Sequence, residues 1–522
     1  MSSSVEAATG AETGPGRSAL ALLAWTSGAL RSFVSMAAGL VATPYLLRYL
    51  GAERLGAFRA AQQWNGYLSY LFLGLIPALM VVLLQATSAG NRDRLSTLVK
   101  SGARLLLRQS LLIVLPCAAI LAWLMPDLVP VSPPLRSELR IGALISLAMI
   151  ALSPLEISRM VLECLQLGYL TNIGLMIQSV VIAAASVLLA WWGFGLPGQF
   201  AAAVLGAVLF YALSASFALS RLPGLNAAPR VPIDSGALWR LRWPMTITGV
   251  GGQVNLLTDY IVVGYMIDPV SVTVFSITQR LVTVLGAFIT SLTNVSWAGL
   301  AEVFTTEGSA MLEARLLELV RLLVGVGLPV LGTLAAFNAH FVTLWVGREY
   351  YAGDLLTLLT AIQTALLGFF LLFGNVVDMQ GDTRYRVGVT SAGAALNLAL
   401  SLLLVRRLGM WGVTLGTVLG YLASDAWYSP YLVCRRYGVR GRSVVLETLR
   451  SVALSGPWVV AVWFWLHTRV EMTTWLKFAL YFGAANAVAA VYCWFLVLTR
   501  ADRSLWRARL SGMSSAFGLG HK

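Results

Sequence analysis

An all-α integral membrane fold, with about fourteen transmembrane helices forming two parallel six-helix lobes plus two C-terminal helices, is predicted by three observations. The chain is a series of apolar blocks, each about as long as the roughly 20 residues needed to cross a bilayer's hydrocarbon core. Charge is scarce, 11% of 522 residues against 58% hydrophobic, and sits mostly between the blocks. The order of the blocks repeats after 217 residues. Backbone polar groups in lipid must be satisfied within each block, so the blocks are read as helices.

Residues 1–18 are small and polar and are expected to be a disordered tail. They lack the basic start of a signal peptide, so the first block is an uncleaved span. The spans follow at 19–47, 57–85, 105–125, 139–162, 171–192, 200–220, 243–267, 273–302, 316–338, 355–378, 388–405, 412–433, 451–468 and 476–498. Shifted by 217, block 105–125 falls on 322–342, block 139–162 on 356–379 and block 171–192 on 388–409; Phe58 falls on Phe275 and Arg104 on Arg321. Each repeat holds an even number of spans, so both enter the membrane in the same direction, about an axis along the membrane normal.

The expected organisation is a first lobe at 19–220, a linker at 221–242 containing Pro223, Pro229 and Pro232, and a second lobe at 243–433. An extra span pair follows at 434–498 and a basic tail at 499–522. With the N-terminus inside, cytoplasmic segments carry 25 Lys and Arg and external segments 10, which predicts cytoplasmic termini.

This layout excludes several classes. No polar gap exceeds 221–242, so no ATPase or catalytic head fits. The net charge of +14 sits at helix ends, which argues for a membrane rather than nucleic acid as partner. Cys117, Cys164, Cys434 and Cys493 are far apart, as are His340, His467 and His521, so neither a metal site nor a cofactor is expected. The Gly-rich run Thr248 to Gly252 opens no strand–helix unit; with Pro244 it is read as a bend in span 7, and Pro44 and Pro77 as breaks in spans 1 and 2.

Intramembrane polar residues are the candidate site. Arg31 lies about 18 Å along the first helix, counted from Ala19, too deep for easy snorkelling. A charge there costs at least about 2.5–3.5 kcal/mol and generally faces a wet interior. It reads as the lining of a cavity for an anionic substrate, or as a buried Arg satisfied by carbonyls or a carboxylate. Under the shift Arg59 falls on Ser276, and Arg280 on Gln63. Residues 59 and 63 share a helix face, as do 276 and 280. The repeat thus sets one arginine from each lobe on equivalent faces, a clamp for phosphate oxygens. The alternatives are an Asp259–Arg280 ion pair and an Arg59–Glu53 pair. Gln62, Gln63, Asn65, Gln253, Asn255 and Gln279 suit either sugar hydroxyls or interhelical hydrogen bonds. Asp259 and Asp425 are candidate coupling or structural acids. The tail Arg500 to Arg509 suits the membrane surface.

The run Thr43-Pro44-Tyr45-Leu46-Leu47-Arg48-Tyr49-Leu50-Gly51-Ala52-Glu53-Arg54-Leu55-Gly56 resembles the Pro-x-x-x-x-x-Leu-Gly-x-x-x-x-Gly stretch of bacterial polysaccharide flippases. Asp259 to Gly264, Phe275 to Leu281 and Trp345 to Tyr350 resemble their second-lobe counterparts. The resemblance covers spans 1–12 and extends to the multidrug/oligosaccharidyl-lipid/polysaccharide exporter superfamily. It implies two V-shaped lobes that rock to give alternating access. It also implies cavity arginines on the first, second and eighth spans, which Arg31, Arg59 and Arg280 occupy. The implied activity is that of an inner-membrane flippase, not an enzyme, moving a polyprenyl-diphosphate-linked oligosaccharide (an O-antigen, capsule or exopolysaccharide unit) to the periplasmic leaflet. Glycan-assembly proteins are candidate partners. One alternative is a drug or metabolite-cation antiporter on the same fold, disfavoured because the first lobe offers Arg31 and no cavity acid. A more remote one is a membrane-embedded glycan polymerase, disfavoured by the short outer gap 126–138.

Overall fold

The computed structural model describes residues 17–222, 225, 229, 235–379, 384–469 and 472–507, and among them every regular element is helical. The helices are α1 Arg17–Leu68, α2 Leu75–Ser88, α3 Arg92–Gln109, α4 Leu115–Leu128, α5 Leu135–Ala151, α6 Glu156–Cys164, α7 Gly168–Trp191, α8 Gly195–Arg221, α9 Ser235–Met266 and α10 Pro269–Val320. There follow α11 Gly327–Trp345, α12 Asp354–Asp378, α13 Arg384–Leu408, α14 Met410–Ala423, α15 Asp425–Tyr437, α16 Gly441–Arg469 and α17 Trp475–Tyr492. Among the described residues, eleven helical stretches are long and apolar enough to cross a membrane. The three remaining expected spans fall on the second arm of α1 with α2, on α9, and on α14 with α15. The chain is a multi-pass membrane protein.

The two longest helices each contain one non-helical residue. Gly51 (φ 80°, ψ 167°) folds α1 into two arms, and Gly308 (φ 81°, ψ −170°) does the same in α10. Positive φ of this kind is open to glycine at little cost. These turns obey the repeat. Gly51 shifted by 217 is Asp268, which caps α10 after the α9 turn; Gly308 shifted back is Asn91, which caps α3. We call the side where α1 begins the proximal face and the side of Gly51 and Asp268 the distal face.

Polar contacts tie helix ends that should share a face. On the distal side Arg54 forms a bidentate pair with Glu138 (2.8 and 2.9 Å), which also accepts from the Leu196 amide. On the proximal side Arg321 pairs bidentately with Asp502 (2.8 and 2.9 Å) and lies 3.3 Å from Glu447. The starts of the ninth and thirteenth spans and the segment after the fourteenth therefore meet at one level, as an alternating count of fourteen requires.

The lobes meet about a pseudo-twofold axis. The Thr273 hydroxyl donates to the Ala52 carbonyl (2.8 Å), and a Cβ on Gly56 would sit 1.6 Å from the Pro269 carbonyl oxygen. Residues 52 and 269 are repeat mates, as are 56 and 273, so each contact is the symmetry image of the other, the signature of an isologous interface. Arg59 donates to Ser276, its own repeat mate, which places both on the axis. Lipid supplies no hydrophobic drive for helix association, so small residues that admit close backbones do this work. Ala57, Ala60 and Ala61 are fully buried here, against Val262, Val263, Val272 and Phe275.

Three local expectations are corrected. Pro44 lies within an uninterrupted arm of α1, and the break comes at Gly51. The second span breaks at Ser69–Gly74, where Leu73 and Gly74 are left-handed; Pro77 sits in the first turn of α2 beyond it, where a missing N–H costs little. α9 is continuous through Thr248 to Gly252 and begins at Ser235, so its first turns occupy part of the expected linker 221–242.

Candidate functional site

The distal half of the seam holds the polar group of interest. Arg59 lies eight residues from Gly51, about 12 Å from the distal turn, and Arg280 twelve residues from Asp268, about 18 Å. Arg59 is partly exposed and its guanidinium donates to Ser276. Arg280 is partly exposed, and its Nη2 lies where a side chain on Gly39 of α1 would begin, 2.5 Å from a Cβ there. Gly39 therefore makes room for the guanidinium. Both arginines lie near the Tyr260 side chain. Tyr260 is fixed edge-on against Phe275 (ring centroids 5.6 Å apart).

No carboxylate pairs with Arg59 or Arg280 among the described residues. The Asp259–Arg280 alternative is replaced by other bonds: Asp259 is 6% exposed and accepts from the Thr417 hydroxyl (3.1 Å) and from Gln363. Glu53, the alternative partner of Arg59, accepts from the Ser132 amide (2.6 Å). Two unneutralised guanidiniums in a membrane interior repel one another, and an anion between them would relieve both. Their planar forks suit phosphate oxygens.

The other candidates lie apart. Gln63 is one turn proximal of Arg59 and partly exposed. Arg31 is eight residues proximal of Gly39, about 12 Å, and twenty residues from Gly51, about 30 Å from the distal turn. That is about the whole hydrocarbon thickness, a shallower setting than counting from Ala19 gives. It shares a helix face with Ser27 and Ser35, which bond Asn172 (3.0 Å) and Ser179 (2.7 Å) of α7. Asn255 is one turn before Asp259 on α9, and its side chain lies outside the described residues, as do those of Gln253 and His467. Asp425 is 1% exposed at the start of α15 and accepts from Thr390 (3.2 Å).

A second polar group lies inside the second lobe. Around the Thr417 hydroxyl stand Asp259 Oδ1 and Oδ2 (3.1 and 3.4 Å), Asn397 Oδ1 (3.0 Å) and the Val413 carbonyl (3.3 Å). Ser401 donates toward the same Asn397 and Val413 oxygens (3.1 and 3.2 Å). Gln363 also donates to Asp259, so two hydroxyls and an amide converge on these oxygens. An oxygen-rich cluster with one carboxylate is suited to a monovalent cation or a proton. Groups of three or more His, Cys, Asp or Glu that could hold a metal are absent among the described residues.

Sequence reasoning named Arg59, Arg280 and Asp259 but missed Ser276, Tyr260 and Gly39 as their neighbours. The repeat held the signal for Ser276, since mates on an axis touch. No such signal gathers Asn397, Ser401 and Thr417, which are unremarkable residues in apolar spans.

No family model matches the chain. It is 22% identical over 512 residues to the "Uncharacterized membrane protein EpsK" of Bacillus subtilis (strain 168), covering 91% of this chain and 95% of that one. Among solved structures it resembles the lipid II flippase MurJ in an inward closed conformation, with a TM-score of 0.64 and 16% identity, covering 89% of this chain and 97% of MurJ. It also resembles an inward-facing multidrug resistance MATE family transporter of the MOP superfamily, with a TM-score of 0.56 and 14% identity, covering 86% and 100%. The chain therefore has the transporter fold shared by MurJ and the MATE proteins.

Proposed function

We propose that the chain is a bacterial inner-membrane flippase, without enzymatic activity, that carries a polyprenyl-diphosphate-linked oligosaccharide from the cytoplasmic to the periplasmic leaflet. The proximal face is then cytoplasmic, with both termini there, and the lobes 19–220 and 243–433 rock about the shared axis. The carrying observation is the Arg59–Arg280 pair at the seam with no acid beside it. Moving a diphosphate unaided through hydrocarbon is prohibitive. Two forks held between lobes, opened alternately to either side, remove that barrier with no covalent step. Gln63 and Asn255 would meet sugar hydroxyls, and Arg31 would meet the anion nearer the cytoplasmic end. The Asp259 cluster would bind the coupling cation or proton, and Asp425 is the second candidate acid in the same lobe. The resemblance to a lipid II flippase supports a lipid-linked cargo.

Arg280→Ala should block export, with lipid-linked glycan accumulating on the inner leaflet. Normal export at normal protein abundance would defeat the proposal. Arg280→Lys keeps the charge but loses the fork, so it tests geometry. The second reading, a cation or drug antiporter, draws on the MATE resemblance and the buried Asp259. A drug-export assay beside the lipid-flipping assay separates the two.

A further inference from the structure

A well-defined cavity lies away from the seam. It is a lateral groove of about 720 Å³ between α1 and α7, running from Phe33 toward Tyr49 and Trp191 at the distal end. Its floor is made of alanines, among them Ala37, Ala38 and Ala184, and its walls are aliphatic and aromatic. Five alanines in one groove leave a channel where larger residues would have closed the surface. The distal end differs in chemistry. Tyr45 and Tyr49 are 49% and 40% exposed, and the Arg48 guanidinium lies 5.8 Å from the centroid of the Tyr49 ring. Arg48 is exposed and has no acidic partner among the described residues.

We infer that this groove binds one anionic phospholipid of the distal leaflet, with a hydrocarbon chain along the alanine floor and the phosphate on Arg48, Tyr45 and Tyr49. Length and polarity fit this occupant. The apolar lining on α1 runs from Phe33 to Ala42, about 14 Å, and Tyr45, Arg48 and Tyr49 follow at its distal end. A guanidinium beside tyrosines at a membrane boundary recognises a phosphate. The geometry argues against the tail of a cargo bound at the seam. Gly39, which faces Arg280, lies about 160–180° around α1 from Ala37, Val41 and Arg48. Ala42, about 60° from Gly39, forms the near edge of the groove, so a chain leaving the arginine pair would have to wrap around α1 past it to reach the alanine floor. The inference is therefore independent of the flippase reading.

The test uses the purified full chain in detergent, incubated with mixed micelles of phosphatidylglycerol and phosphatidylcholine, with retained lipid counted by native mass spectrometry. One phosphatidylglycerol should be retained in preference to phosphatidylcholine. Arg48→Gln should remove that preference, a loss of about tenfold in relative retention for one charge-assisted contact. The double variant Ala38→Leu with Ala184→Leu fills the floor and should abolish retention of either lipid. Equal retention of both lipids by the unaltered chain, or an unchanged preference in Arg48→Gln, would overturn the inference. So would displacement of the lipid by equimolar polyprenyl phosphate, since the groove would then belong to a cargo tail.

Discussion

Gly56→Ala is the most informative single perturbation. A Cβ at that position would stand 1.6 Å from the Pro269 carbonyl oxygen and 2.9 Å from Thr273 Oγ1, where ordinary contact begins at 3.4 Å. The obstacle is backbone, so no rotamer change relieves it. α10 would have to retreat by nearly 2 Å from a seam whose next residues, Ala57 and Ala60, have no exposed surface. Overpacking of this kind costs about 1–3 kcal/mol. The cost falls on the state in which the distal seam is shut. If the lobes rock, it favours the distally open state by roughly 5- to 150-fold. Trp192 and Trp411 are exposed at distal ends of opposite lobes and suit spin labels in a cysteine-free background. Electron–electron distance measurement in lipid nanodiscs should show a longer-distance population growing at the expense of the shorter one. An unchanged distribution at normal abundance would refute the view that this contact closes the seam.

Arg59→Lys should keep the protein abundant yet lower export, because Lys retains charge while losing the planar donor pair; export equal to the unaltered chain would dismiss a geometric role. Asp259→Asn should remove the cluster's only carboxylate and with it any cation- or proton-dependence of transport in proteoliposomes, while folding is kept by the isosteric amide. Arg242, which donates to the Leu73 and Phe72 carbonyls (3.0 and 3.1 Å) and to Gln109 (2.9 Å), satisfies the break in the second span; Arg242→Ala should destabilise the fold by about 1–3 kcal/mol, seen as a lower midpoint of thermal unfolding in detergent. Burial alone would raise the Asp502 carboxyl, but hydrogen bonds from Arg321 and Thr499 hold it below the usual aspartate value. Its contribution is therefore complete above about pH 3.9 and fades only as pH falls through the lower folded value. Hydrogen exchange of residues 499–507 should be flat in protection from pH 5 to 8 and lose protection in Asp502→Asn at every pH.

The spans and the repeat were legible because both follow from long-range patterning. Apolar blocks fix helices in lipid, and the 217-residue period survives in turn positions even where side chains have diverged. Breaks inside spans were less legible. Proline was read as the breaker, yet Pro44 sits in a continuous arm while Leu73 adopts φ 47° in the second span. A helix tolerates proline where neighbouring groups accommodate the lost bond, and it unwinds where another side chain, here Arg242, caps the freed carbonyls. Pairing of charges was illegible for the same reason. Depth along a hairpin set Asp259 and Arg280 at similar levels, but azimuth decides contact, and Asp259 is turned toward Thr417 inside its own lobe.

The mirrored contacts 52 with 273 and 56 with 269 have an evolutionary corollary. Two separate six-span subunits joined about a true dyad would make the same pair of contacts, so the chain behaves as a dimer whose halves were fused. An obligate homodimer must repeat every residue, and arginine at both 59 and 63 would ring the axis with four cations. Fusion lifts that restriction. One half keeps Arg59 and pairs it with Ser276, the other keeps Arg280 opposite Gln63, and the duplicated scaffold carries half the charge that strict symmetry would impose.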